Sequence, residues 1–313
     1  MDGKKLVMRK VRQNINLLME CQKRFETKPW YDVNRLNALI TRLAYLDKDE
    51  IDLILDLTEK FQFFGLTDLN SKLISAFRKI PSNMLRGAPR ILFAPLKSPY
   101  HREEKKVEKR RKLERITTNN PILADPGKSS DVIFRVMQCD YPSKFMPYNQ
   151  KTYLCNKPQD IISHFVKDAL IVLWDDFVGS GDTAFTAIAD IQKFLADGGK
   201  DTTEQNYTVV CMCAMQEGIN LLDYFSLKCY ASDVYGKAIS DDMRFTQEQR
   251  NARIACMKSA ESKVVKKAVK NYSLGYHQSE ALLSIMDKCP NNTFPFYWFA
   301  SQYNLDPVFY RLK

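Results

Sequence analysis

The chain is poor in the residues that announce a metal centre. Only 3 of its 313 residues are His (His101, His164, His277). Its 8 cysteines, Cys21, Cys139, Cys155, Cys211, Cys213, Cys229, Cys256 and Cys289, are scattered, with no Cys-x-x-Cys among them. That scatter argues against a zinc site, and in a cytosolic setting such thiols stay reduced. There is no Gly-x-x-x-x-Gly-Lys-Ser/Thr, because the one Gly-Lys-Ser, Gly127-Lys128-Ser129, has Ile122 where a Walker loop places its first Gly. No apolar run approaches the ~20 residues that a membrane helix needs. The opening Met1-Asp-Gly-Lys-Lys-Leu-Val-Met-Arg-Lys10 also lacks the apolar core of a signal peptide. These absences lead to the expectation of a cytoplasmic protein without membrane contact.

What is present is ordinary in bulk: 45% apolar and 27% charged residues, as in a soluble globular protein. The length suits one sizeable core plus an appendage. The net charge of +10 favours acidic partners such as nucleic acid, nucleotides or an acidic protein face, without choosing among them.

The informative stretch is Ala169-Leu-Ile-Val-Leu-Trp-Asp-Asp-Phe-Val-Gly-Ser-Gly-Asp-Thr183. Residues 169–174 are wholly apolar and read as a strand buried on both faces, as in a parallel sheet. Ala184, Ala187, Ile188, Ile191 and Leu195 then recur at helical spacing, and Gly198-Gly199 supplies a stop. The loop between joins the carboxyl end of a strand to a helix N-terminus, where open α/β sheets place ligands. Glycines there let the backbone approach a ligand closely. Helix-start amides favour an anion such as phosphate, and Ser180 and Thr183 add hydroxyl donors. Asp175 and Asp176 suit two ribose hydroxyls one sugar length away. A solvated strand end followed by a flexible turn is the bland reading, and the full order of features weighs against it.

This segment resembles the phosphoribosyl-pyrophosphate (PRPP) loop of type I phosphoribosyltransferases. The resemblance implies that Asp175 and Asp176 are the ribose acids and the catalytic pair. Val178, Gly179, Ser180, Gly181, Asp182 and Thr183 become the 5′-phosphate loop. It also implies Mg²⁺ carried by the diphosphate of PRPP rather than by direct protein ligands. The variant Asp175-Asp-Phe-Val-Gly-Ser-Gly181, together with Leu274-Gly-Tyr276 and Pro290-Asn-Asn-Thr-Phe-Pro-Phe-Tyr-Trp298, is similar to phosphoribosyltransferase-like proteins of bacterial conflict systems. Some of those accompany retron reverse transcriptases and are thought to be toxic effectors of anti-phage defence. The resemblance is expected to run from about residue 86 to the end. Two departures stand out. Gly179 occupies the place of the Asp that handles the base proton in purine salvage, and Asp182 adds negative charge beside the phosphate. They count against purine salvage and leave open a site that binds PRPP or a nucleotide without turnover.

Elsewhere the chain organises around this segment. Residues 1–85 read as helical, with a basic stretch Lys4–Phe25 and apolar stripes at Val33, Leu36, Ile40, Leu43; at Ile51, Ile54, Leu55, Phe61; and at Leu69, Leu73, Ala76, Phe77, Ile80. No strand is expected there, and the region reads as a cap or docking bundle. Residues 86–313 are expected to form the α/β domain. Its strands are Ile91–Leu96, Asp131–Met137, 169–174, Tyr207–Met215 and Leu227–Tyr235, alternating with helices as in a parallel sheet. Pro95 suggests an edge or bulged position for the first of them. By the resemblance, Lys97 and Ser98 after that strand contact pyrophosphate. The charged run His101–Ile116 reads either as a solvated helix or as a phosphate-contacting helix or flap. Gln247–Lys270 reads as a basic helix (Lys258, Lys263, Lys266, Lys267, Lys270), solvated by default. Its sharper reading is a nucleic-acid face, for instance toward a reverse transcriptase–RNA/DNA complex. The aromatic tail reads as core. Asn291 and Asn292 read as turn residues or, with the resemblance, as amides beside a base or ribose.

The expected architecture is therefore α/β: a type I phosphoribosyltransferase-like parallel sheet with flanking helices, preceded by the N-terminal helical region. The expected function is binding of PRPP or a nucleotide at Asp175–Thr183 with transfer or cleavage at ribose C1. The alternative is an inactive nucleotide-sensing or partner-binding module on the same fold.

Overall fold

A computed structural model describes residues 15–107, 110–117, 148–266, 272–286 and 288–311. The strand expected over Asp131–Met137, the start of the basic stretch from Lys4, and Cys139, Lys267 and Lys270 lie outside them. The chain forms two compact units. Residues 66–235 make one, and residues 1–65 with 236–313 make the other. This is a different cut from one at residue 85.

The second of these begins with helical residues 15–25 and the helices Val33–Leu43 and Lys48–Glu59. Asp32 caps the first named helix by accepting from the amides of Asn34 (2.7 Å) and Arg35 (3.2 Å). Glu50 reaches back to the Asp47 amide at 2.9 Å to fix the start of the next. Leu36, Leu39, Ile40 and Leu43 join Ile54, Leu55 and Leu57 in one core with Phe294, Phe296, Tyr297 and Phe309. Phe294, Phe296, Tyr297 and Trp298 of the aromatic tail are thus core, while Tyr303 is exposed. Arg42 is fully buried here and donates to the carbonyls of Asp306 (2.8 Å), Phe296 (2.6 Å) and Phe299 (2.9 Å). Burial lowers its pKa to about 10, so the fork stays charged at neutral pH. A short strand, β1 (Gln62–Phe64), corrects the wholly helical reading of this region. Three residues are too few to show a period, and β1 exists because a distant strand, Leu283–Ile285, pairs with it in parallel.

The other unit starts with the helices Leu66–Arg78 and Ser82–Gly87, followed by β2 (Ile91–Pro95). Next come β3 (Tyr100–Val107) and β4 (Arg110–Thr117), then β5 (Thr152–Leu154) and the helix Pro158–His164. The chain continues through β6 (Leu170–Val178), the helix Asp182–Asp197, β7 (Tyr207–Met215), the helix Gln216–Tyr224 and β8 (Lys228–Tyr235). Strand Leu283–Ile285, in the unit formed by residues 1–65 and 236–313, is then β9. Five strands form one parallel sheet in the order β5-β2-β6-β7-β8. Every residue of β7 is buried, which is why it reads as a continuous apolar run. One side of the sheet packs against Pro158–His164 and Asp182–Asp197 through Leu173, Cys211, Ile161, Ile188 and Ile191. The helix Leu66–Arg78, grouped by sequence with the N-terminal bundle, packs on β7 and β8.

Two expectations need correction. First, β2 is not an edge strand; it lies between β5 and β6. Pro95 is tolerated because it is the last residue of the strand. Leu96 still donates to Trp174 at 2.9 Å on the β6 side, while on the other side β5 pairs only as far as Phe93. The missing donor of Pro95 faces no strand. Second, residues 101–116 are not helical: β3 and β4 pair antiparallel from Tyr100↔Thr117 to Val107↔Arg110.

Candidate active site

Along the chain the sheet runs β2, then β5 on one flank, then back across to β6 on the other. Connections leave β2 and β6 in opposite directions, and between their carboxyl ends the sheet has a topological switch point. The register pairs Pro95, the last residue of β2, with Trp174, so β2 ends just where the acids of β6 begin. Asp175 and Asp176 follow Trp174 directly, and Lys97 and Ser98 follow Pro95. Four of the residues singled out in the sequence therefore lie on one rim.

β6 runs four residues beyond the expected Trp174, through both acids to Val178. Its ladder with β7 continues as Asp175↔Cys211, Phe177↔Cys213 and Val178↔Ala214. The polar pair ends the apolar pattern but not the backbone pairing. Both carboxylates are half-buried, and the Asp176 amide donates to Asp175 Oδ1 at 2.9 Å. Val178 is buried in the core and anchors the loop's start.

The loop Gly179-Ser180-Gly181 leads straight into the helix Asp182–Asp197. Gly181 is its N-cap, at φ 89, a left-handed conformation that glycine adopts without strain. The first loop-to-helix bond is Phe185 N–H to the Gly181 carbonyl, 2.9 Å. Ahead of it lie the helix-start amides, which no intrahelical carbonyl reaches. Ser180 Oγ donates to Asp182 Oδ2 at 3.1 Å, so the loop carries its own carboxylate at the positive end of the helix. Thr183 is exposed.

Ser98 is tied to the same helix. Its hydroxyl donates to Asp190 Oδ2 at 2.6 Å and accepts from the Tyr100 amide at 3.1 Å. Lys97 is half-buried beside it. Asn291 and Asn292 belong to the other unit. There the buried Asn292 amide donates to Ser279 Oγ at 2.9 Å, and the Asn291 carbonyl accepts from the Tyr276 amide at 2.7 Å. These bonds knit the Leu274-Gly-Tyr276 and Pro290–Trp298 segments into one turn system.

Besides Asp190, three residues escaped the sequence reading. Lys72, on the helix Leu66–Arg78, pairs with Asp233 of β8 at 2.5 Å. Asp233 lies in register with Cys213, which lies in register with Phe177. Burial, followed by the carboxylates of Asp176 and Asp233, drives the Cys213 thiol far above its ordinary pKa, while Lys72 opposes them. The acid pair of β6 thus belongs to a larger charged cluster across three strand ends. A separation of 161 residues hides the Lys72–Asp233 pair from any local pattern. The third residue, Gly218, sits in the first turn of the helix Gln216–Tyr224, and a glycine within a helix is the one available signal.

A five-stranded parallel sheet flanked by helices, with paired acids and a glycine loop at its switch point, defines a phosphoribosyltransferase-like protein. The chain belongs to the PRTase-CE family, whose model matches residues 44–311. The matched region starts well before residue 86, so the helices Lys48–Glu59 and Leu66–Arg78 are part of what the family shares. No curated protein matches the chain. Among the described residues no helix is long and apolar enough to cross a membrane. Nor do three His, Cys, Asp or Glu side chains gather there as metal ligands.

Proposed function

We propose that the protein binds PRPP or a nucleotide at the rim between β2 and β6 and breaks the bond at ribose C1. The observation that supports this reading is the register of β2 with β6, in which Pro95 pairs with Trp174, so that Asp175 and Asp176 follow on one strand and Lys97 and Ser98 on the other. In this reading the loop from Val178 to Thr183 holds the 5′-phosphate through backbone amides and hydroxyls. Asp175 and Asp176 accept from the ribose hydroxyls, and their charge suits the cation that builds on the sugar ring. Lys97, following β2, would face the departing diphosphate. The C1–O bond breaks with its electron pair going to pyrophosphate, and a nitrogen nucleophile or water forms the new bond at C1. Oxygen donors of this kind suit a hard cation, and Mg²⁺ arriving with the diphosphate would neutralise the leaving group. On the resemblance to conflict-system proteins, we infer the setting of a toxic anti-phage effector. Its partner would be a reverse transcriptase–RNA/DNA complex met through basic surfaces.

A second reading, a nucleotide sensor without turnover, is favoured by one feature: Asp182 already places a carboxylate where the ligand phosphate would sit, bonded to Ser180. Phosphorus NMR of PRPP incubated with protein and Mg²⁺ separates the two. Release of pyrophosphate that an Asp176→Asn variant lacks supports transfer or cleavage. Intact PRPP with measurable binding supports the sensor, and absence of binding contradicts both.

A further inference from the structure

We infer that Gly218 is a positioning residue for the anion site: its bare Cα lets the Gly179 carbonyl dock against the helix Gln216–Tyr224, which turns the Ser180 N–H outward toward the ligand. This rests on the reading of residues 178–183 as a phosphate loop.

A Cβ built on Gly218 would overlap the carbonyl oxygen of Gly179, far inside contact distance. It would lie 3.1 Å from that carbonyl's carbon and 3.2 Å from the amide nitrogen of Gly181. The oxygen is thus the nearest atom, and the C=O bond points at Gly218. In a trans peptide the C=O and the following N–H point in opposite directions. The Ser180 N–H is therefore aimed away from the helix Gln216–Tyr224. A second contact holds the loop from the same side. A Cβ on Gly181 would come within 3.0 Å of both the Gly218 carbonyl oxygen and Leu221 Cδ2. Two successive peptides of the loop rest on one turn of a neighbouring helix. That clamp fixes the orientation of the amides before any ligand arrives, which spares a phosphate the cost of ordering them.

The clamp also accounts for a glycine in the first turn of a nine-residue helix, where Ala is the better helix former. The side chain is missing because the loop backbone occupies its place.

The test is Gly218→Ala, read by calorimetric titration with ribose 5-phosphate and, separately, with Mg²⁺-pyrophosphate. Gly87→Ala, where an added Cβ meets nothing within 4 Å, is the control. The expected result is a loss of about tenfold or more for ribose 5-phosphate, the worth of one hydrogen bond to a charged group, with pyrophosphate affinity unchanged. Unaltered ribose 5-phosphate binding by the variant overturns the inference. Equal loss of both ligands also overturns it, because that is the mark of a general structural role. If the wild-type protein binds neither ligand, the phosphate-loop reading itself fails, a distinguishable result. Should Gly218→Ala not fold, 15N-serine-labelled wild-type protein decides. The Ser180 amide, assigned by its disappearance in Ser180→Ala, should shift on adding ribose 5-phosphate. An unmoved Ser180 signal under saturating ligand contradicts the inference.

Discussion

Ser98 and Asp190 are joined by a 2.6 Å hydrogen bond that ties the loop after β2 to the helix following β6. Asp190 is 2% exposed, so its carboxylate depends on protein donors rather than water. The resemblance assigns Ser98 to pyrophosphate contact, and the bond gives it a second task, holding the two sides of the switch point together. Ser98→Ala is expected to lower stability by about 1.5–3 kcal/mol, the worth of a hydrogen bond to a charged group. Urea unfolding measures this, and an unchanged midpoint would show that the bond carries no weight.

On the proposed reading of residues 178–183 as a phosphate loop, Asp182 would compete with the incoming anion. Replacing it by Asn keeps an acceptor for Ser180 and removes the charge. A unit charge several ångströms from a phosphate at a partly exposed site is worth about 1 kcal/mol, so affinity for ribose 5-phosphate should rise roughly fivefold. The helix loses a favourable charge at its positive end, about 0.3–1 kcal/mol. Titration of Asp182→Asn showing equal or weaker binding would place the ligand phosphate elsewhere.

Arg42 should be irreplaceable by Lys. Its planar fork serves three carbonyls that approach from different directions, and a single ammonium cannot reproduce that geometry. Arg42→Lys is expected to cost about 1–3 kcal/mol, the penalty for leaving a buried acceptor unmet. Arg42→Ala should cost more. Denaturant curves would contradict this if the two variants matched the wild type.

Stability should fall between weakly acidic and neutral pH because of Glu261. Burial raises its carboxyl from the usual 4.5 to about 7, despite hydrogen bonds from Ser273 Oγ (2.9 Å) and the Leu274 amide (3.1 Å) and the nearby charge of Lys258. The folded state therefore binds the proton more tightly than the unfolded chain. The resulting stabilisation is full below about 4.5 and is lost as pH rises through about 7. The size is about 3 kcal/mol, taking 1.36 kcal/mol for each unit. Asp242 is held well below the usual carboxylate range by Arg244 and Lys60, and its effect falls at lower pH, outside this window. Urea midpoints at pH 5 and pH 8 should differ more for the wild type than for Glu261→Gln; parallel behaviour would contradict the assignment.

The legible parts of this protein were those whose chemistry is local. Residues 169–183 announce strand, acids, loop and helix in order, because a central parallel strand must be apolar and a turn of this kind needs Gly181. Tyr207–Met215 was readable for the same reason. The pairing of Tyr100–Val107 with Arg110–Thr117 was not, because a run charged at nearly every position shows neither a period of 2 nor one of 3.6. β1 was hidden by its length and by its dependence on β9. Lys72 meets Asp233, Asp190 meets Ser98 and Gly218 meets the loop only through tertiary contacts. Asn292, by contrast, was visible as a turn residue, and the buried amide bonded to Ser279 fits that simpler role.

The most direct measurement of the central claim is calorimetric titration of the 313-residue protein with PRPP and Mg²⁺, beside the Asp175→Ala, Asp176→Ala double variant. The account predicts saturable binding by the wild type that the double variant loses while keeping its fold. Equal binding by both proteins, or none by the wild type, would contradict it.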